Sequence, residues 1–171
     1  MRIGILTAGG DCPGLNAVIR GVVARANERH DAVVVGVLDG WDGLMEGRVR
    51  PLDREAVRGI LQRGGTILGT SRRDPYVHGE GAASVRTTLE REHLDGLVVV
   101  GGDGTLRSAL RLSEEGIPIV GVRLDFRPSG DNEATVVNLQ VAHFIEASGG
   151  CIVRALADAV AALVALLLKP E

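Results

Sequence analysis

Lysine is almost absent from this chain of 171 residues: Lys169 is the only one, so nearly all of its positive charge is arginine. Cysteine is nearly as scarce. Cys12 and Cys151 make no disulfide framework and show no metal-ligand spacing. Cys12 stands at a predicted helix start, where a thiol can become reactive, but no histidine lies near it in sequence and it reads as a packing residue. The histidines His30, His78, His93 and His143 do not pair at metal spacing and read as structural or surface residues. Excess positive charge is missing too. The formal net charge of −3 gives no reason to expect nucleic acid or an anionic membrane surface as a partner. The Ala, Leu and Val-rich stretch from Arg154 to Lys169 is interrupted by Asp158 and is too short to span a bilayer comfortably. It reads as a buried helix. The chain opens directly on a strand pattern with no signal peptide apparent, so a cytoplasmic location is expected.

What the chain does have is a core and grouped glycines. Hydrophobic residues make up 45% and charged residues 24%, a globular balance at a length that suits one domain. The central stretch is Leu97-Val98-Val99-Val100-Gly101-Gly102-Asp103-Gly104-Thr105. Its apolar run predicts a strand buried on both faces of a parallel sheet. The glycines permit a sharp turn and a close approach of backbone to ligand. Leu106 to Leu112 has helical spacing, so the turn opens onto a helix N-terminus, where free N–H groups and the dipole favour phosphate. Asp103 is the one carboxylate in the turn, placed for the Mg²⁺ that accompanies a polyphosphate. The plainer alternative is a tight strand-to-helix turn with no ligand.

The same pattern occurs at the start. Arg2 to Leu6 predicts a strand, Gly9 and Gly10 a turn, and Leu15, Val18, Ile19, Val22 and Ala26 one face of a helix. Pro13 suits the first turn of that helix. The turn is neither a Walker loop nor Gly-x-Gly-x-x-Gly. Ala32 to Leu38 predicts the next strand, and Gly40-Trp41-Asp42-Gly43-Leu44 a loop. Trp41, the only tryptophan, reads as cover for the edge of the core or as a platform for an adenine. Pro51 and Asp53 announce a helix to about Gln62, with Asp53 as N-cap. In Gly64-Gly65-Thr66-Ile67-Leu68-Gly69-Thr70-Ser71-Arg72-Arg73, adjacent arginines follow a Gly/Ser/Thr loop. Guanidinium forks there suit phosphate oxygens, against the alternative of a solvated surface pair. A helix from Ala82 to His93, the central strand and a strand over Gly116 to Val122 follow. The alternation predicts an α/β fold, a doubly wound parallel sheet. Both glycine turns then lie beyond the carboxyl ends of the strands, where such sheets bind ligands.

Four separated motifs together resemble the 6-phosphofructokinases: residues 4–17, 40–44, 64–72 and 101–105. The resemblance covers about residues 1–122. It implies a Rossmann-like nucleotide-binding domain and phosphoryl transfer from ATP to the 1-hydroxyl of fructose 6-phosphate, a step of glycolysis. It further implies that Gly10 contacts the donor phosphates and that Arg72 and Arg73 line the donor site. Gly102, Gly104 and Thr105 would complete the cradle, with Asp103 binding Mg²⁺. Trp41 stands where the family often has an aromatic beside the nucleotide. Arg20 matches an arginine that binds effector in bacterial members. Gly104 favours ATP, because many pyrophosphate users carry aspartate there. The family's Pro-(Gly or Lys)-Thr-Ile-Asp-Asn-Asp motif is not intact after Val122. Asp131-Asn132-Glu133 is its nearest counterpart and makes Asp131 the expected general base, with Asp125 as rival.

These readings divide the chain into a donor-binding domain over residues 1–122 and a divergent tail over 123–171 packed on it. The family's second half, with its Met-Gly-Arg motif and sugar-phosphate site, is not found in the sequence. Three readings follow: a 6-phosphofructokinase-type enzyme that forms homo-oligomers, a non-catalytic nucleotide-binding remnant, or another Gly-Gly-Asp-Gly-Thr kinase such as an NAD kinase.

Overall fold

The structure is a computed structural model that describes residues 1–11, 13–77, 79–123, 152–153, 161 and 164–165. The strands are β1 (Arg2–Ala8), β2 (Val33–Val37), β3 (Val49–Leu52), β4 (Gly96–Gly101), β5 (Ile119–Val122) and β6 (Ile152–Val153). The helices are α1 (Leu15–His30), α2 (Gly40–Glu46), α3 (Gly81–Arg91) and α4 (Asp103–Glu114). One sheet runs in the order β3-β2-β1-β4-β5-β6. Every pairing is parallel except β2 with β3. This is the doubly wound α/β sheet that the alternation of elements predicts.

The continuous apolar runs follow from burial on both faces, since successive strand side chains point to opposite sides. Ile3, Ile5, Val98, Val100, Val120 and Val122 share one core with Leu15, Val18, Ile19 and Val22 of α1. Leu6, Ala8, Leu97, Val99 and Ile119 share the other with Trp41 and Leu44 of α2, Val85 of α3 and Ala109 and Leu112 of α4. Val164 packs against the first of these cores.

Several expected boundaries move. Residues 40–44 are not a loop: they open α2, between Asp39 and Gly47, both left-handed with φ of 52° and 72°. The expected helix from Asp53 to Gln62 does not form. Asp53 Oδ1 accepts the Ala56 N–H at 2.7 Å, capping a turn, and Gly59 at φ 71° breaks the run so that only Ile60–Gln62 is helical, as one 3₁₀ turn. Pro51 belongs to the antiparallel edge strand β3, where a missing N–H costs no ladder bond on the open side. Helix α4 starts at Asp103 rather than Leu106, so the glycine turn is shorter and the aspartate belongs to the first helical turn. Cys12, His78, Asp125, Asp131 and His143, and most of the expected helix over 154–169, lie outside the described residues. Among the described residues no helix is long and apolar enough to cross a membrane.

Candidate functional site

The chain leaves β1 toward β2 on one side and returns as β4 on the other. Between the carboxyl ends of β1 and β4 the connections diverge, and a crevice opens at this switch point. Ala8 and Gly101 face each other across the last rung of that pair. A side chain at Gly101 would lie 2.6 Å from the Ala8 carbonyl oxygen and 2.7 Å from Thr105 Cβ, so the close packing of β1, β4 and α4 requires glycine there. Gly9 turns the chain out of β1 at φ 92°, a conformation that favours glycine.

Gly10, Gly102 and Gly104 differ from these two. None has positive φ, and an added Cβ would meet nothing within 4 Å. Folding alone does not call for glycine at any of the three. All three line a cavity of about 320 Å³, together with Gly9, Trp41, Ser71, Arg72, Arg73, Asp74, Asp103, Thr105 and Ser108. Omitting Cβ there leaves bare backbone facing the cavity, as a ligand laid against main-chain N–H groups requires. The N-terminus of α4 opens into the same space, and its N-cap, Gly102, has no side chain with which to bond the free N–H groups.

The arginine loop reaches the cavity because β1 and α1 hold it down. The Thr7 hydroxyl donates to the Gly69 carbonyl at 2.7 Å and lies 2.9 Å from Thr66 Oγ1. Thr70 Oγ1 donates to the Gly9 carbonyl at 2.8 Å, while the Gly9 N–H donates to the Ser71 carbonyl at 2.8 Å. Buried Asn16 donates to the Arg63 carbonyl at 2.9 Å and accepts the Ile67 N–H at 2.8 Å. Arg72 and Arg73 follow directly and line the cavity. Arg73 Nη1 is 3.2 Å from Asp42 Oδ1 on α2, so part of its charge is already compensated.

Among the described residues, three that line this cavity carry a buried polar atom with no hydrogen-bond partner: Trp41 Nε1, Ser71 Oγ and Asp103 Oδ1. Trp41 is 2% exposed and does serve the core, yet it also lines the cavity. Asp103 Oδ1 lies 3.5 Å from Arg123 Nη2, a guanidinium buried at the end of β5. Arg123, Ser71, Asp74 and Ser108 were not singled out as site residues by sequence reasoning. Ser71 and Asp74 adjoin the two arginines, and Ser108 lies one helical turn beyond Gly104, donating to its carbonyl at 3.3 Å. Only topology brings Arg123 to Asp103.

Among the described residues no group of three or more His, Cys, Asp or Glu could hold a metal ion. Two carboxylates, Asp74 and Asp103, line the cavity, and a single carboxylate joined by ligand phosphates and water is a coordination that Mg²⁺ commonly takes. Arg20 is elsewhere: it donates to the Val57 carbonyl at 3.2 Å and does not line this cavity.

The phosphofructokinase family profile matches residues 2–124. The chain belongs to the phosphofructokinase family. It is 55% identical over 122 residues to ATP-dependent 6-phosphofructokinase 3 of Streptomyces coelicolor, which spans 71% of this chain and 36% of that relative. It is 49% identical over 122 residues to pyrophosphate–fructose 6-phosphate 1-phosphotransferase of Amycolatopsis methanolica, again over 71% of this chain and 36% of the relative. The crystal structure of Pichia pastoris phosphofructokinase in the T-state superposes with a TM-score of 0.68 at 33% identity, covering 72% of this chain and 15% of that one. The chain thus spans about a third of the length of these curated relatives, 36% of each.

Proposed function

We propose that the switch-point cavity is the phosphoryl-donor site of a 6-phosphofructokinase-type phosphotransferase. The observation that carries this reading is the set of glycines at 10, 102 and 104, whose missing side chains serve the cavity and nothing in the fold. Backbone N–H groups of these turns and of the α4 N-terminus hold the donor's phosphates, and Arg72 and Arg73 draw off the charge of the phosphate oxygens. Asp103 would hold Mg²⁺, which neutralises phosphate charge when bound. Phosphoryl transfer asks little else of the protein than this positioning and neutralisation. Thr105, 7% exposed at the foot of the cradle, occupies the space that a side chain at Gly9 or Gly101 would need, so it packs between the two glycine turns.

The acceptor in this reading is the 1-hydroxyl of fructose 6-phosphate, with Asp131 taking its proton. The donor is ATP, supported by Gly104; pyrophosphate is the alternative, since relatives named for each donor match this chain at 55% and 49% identity. Residues 1–122 form the donor-binding domain and 123–171 a tail packed on it, in a cytoplasmic homo-oligomer acting in glycolysis.

The test is formation of fructose 1,6-bisphosphate by the purified chain, with ATP and pyrophosphate supplied separately. Turnover with ATP that is lost in Asp103→Asn is the expected result. A second reading, donor binding without transfer, is favoured by the 36% share of its relatives that the chain spans. Retained ATP binding with no turnover from either donor would select it. A folded chain that neither binds nor turns over a phosphoryl donor would overturn both.

A further inference from the structure

Thr7 is a polar side chain, 0% exposed, in a strand whose other buried residues are glycine or apolar, and valine of the same shape would fill the same space. Its hydroxyl has one proton to give, and it gives it to the Gly69 carbonyl at 2.7 Å. In the 2.9 Å contact with Thr66 Oγ1, Thr66 must then be the donor. Thr66 Oγ1 in turn accepts the Leu68 N–H at 3.1 Å. The bonds run one way, from Leu68 N–H through the Thr66 and Thr7 hydroxyls to the Gly69 carbonyl, so each polarises the next. Segment 63–71 has no helix or strand of its own, yet this relay closes it on itself around a side chain of β1. The paired bonds of Gly9 with Thr70 and Ser71 continue the seam up to the residue before Arg72.

We propose that Thr7 is a positioning residue for the donor site: its buried hydroxyl fixes the loop that presents Arg72 and Arg73 to the phosphates. It is not among the residues that line the cavity. A fixed loop has already lost the freedom that gripping a polyphosphate would otherwise take from it, so affinity depends on the hydroxyl at a distance. The inference rests on the donor-site reading for its effect on binding, and on the hydrogen bonds alone for its effect on the loop.

Two readouts separate these. Binding of ATP and of inorganic pyrophosphate, titrated separately, is followed by fluorescence of Trp41, the only tryptophan in the chain and part of the cavity wall. Loop order is followed by trypsin cleavage at Arg63, Arg72 and Arg73, read by mass spectrometry. Thr7→Val should weaken both ligands roughly tenfold, the equivalent of one well-made buried hydrogen bond, and speed cleavage in the loop. Thr7→Ser, which keeps the hydroxyl, should restore both. Val23→Ala, a truncation on α1 in the core that Leu68 also enters, removes none of the loop's hydrogen bonds and should lower stability while leaving affinity and loop cleavage unchanged. Thr70→Val replaces Thr7→Val if the latter does not fold, with the same expected outcome. Wild-type affinity and cleavage in the valine variant, or equal losses in Val23→Ala, would overturn the proposal. A wild-type chain that binds neither ligand would overturn the donor-site reading instead, and cleavage of the loop alone would then decide the role of Thr7.

Discussion

Single glycines divide into two kinds in this molecule, and substitutions can tell them apart. Gly101→Ala forces a methyl to 2.6 Å from the Ala8 carbonyl oxygen and should cost about 1–3 kcal/mol of stability, measured by urea unfolding. Gly10→Ala meets nothing within 4 Å and should leave the unfolding midpoint almost unchanged while weakening donor binding. Loss of stability in Gly10→Ala with intact binding would show the glycine to be structural after all. The same contrast marks what was legible in the sequence. Gly-Gly-Asp-Gly-Thr announces a turn against phosphate, but its letters do not say which glycine the fold needs and which the ligand needs. That distinction requires the neighbours in space. Arg123 was illegible for the same reason: twenty residues separate it from Asp103, and only the β4–β5 pairing brings the two side chains together.

At the scale of elements, the arginine loop is anchored at its far end as well. The Tyr76 hydroxyl donates to Glu115 Oε1 at 2.7 Å, Arg86 pairs with Glu115 Oε2 at 2.8 Å, and Arg111 lies over the Tyr76 ring at 4.6 Å. The cluster ties the segment after Arg73 to the middle of α3 and the C-terminal end of α4. The hydrogen bond from Tyr76, and then Arg86, hold the Glu115 carboxyl below its ordinary value of 4.5, while burial and the same bond push the Tyr76 phenol up. A carboxylate with a depressed folded pKa adds stability above its ordinary value and loses it as pH falls through the depressed one. Tyr76→Phe should therefore cost about 1 kcal/mol at neutral pH. The gap from wild type should narrow as the solution is acidified below pH 4.5. Urea midpoints of both chains across that range check it, and a gap independent of pH would show that the bond to Glu115 contributes nothing. Elements with long apolar runs, β1, β2, β4 and β5, were legible because burial on both faces writes itself into consecutive residues. The edge strand β3 was not, since it has four residues, includes Pro51 and is only partly buried. The expected helix at Asp53 failed on a single glycine at φ 71°, which spacing alone does not reveal.

At the scale of the whole molecule, strand order decides where chemistry is placed. Three stretches that are distant in sequence, residues 9–10, 71–74 and 102–105, meet at one switch point because β4 inserts beside β1 rather than beyond β3. The alternation of elements foretold the doubly wound sheet and the edge at which a ligand would bind. It did not foretell how firmly the arginine loop is fastened to β1, since that depends on hydroxyls of threonines that read as ordinary strand and loop residues. Asp131, the expected general base, lies outside the described residues.

Whether this crevice takes a phosphoryl donor is measured directly by calorimetric titration of the purified chain with ATP and with pyrophosphate in the presence of Mg²⁺. The predicted result is saturable binding of one donor per chain, weakened at least tenfold by Arg72→Ala and again by Asp103→Asn, with the urea midpoint of Arg72→Ala close to wild type and that of Asp103→Asn lowered by the lost pairing with buried Arg123. Binding that neither substitution alters, or no binding by a folded chain, would contradict it.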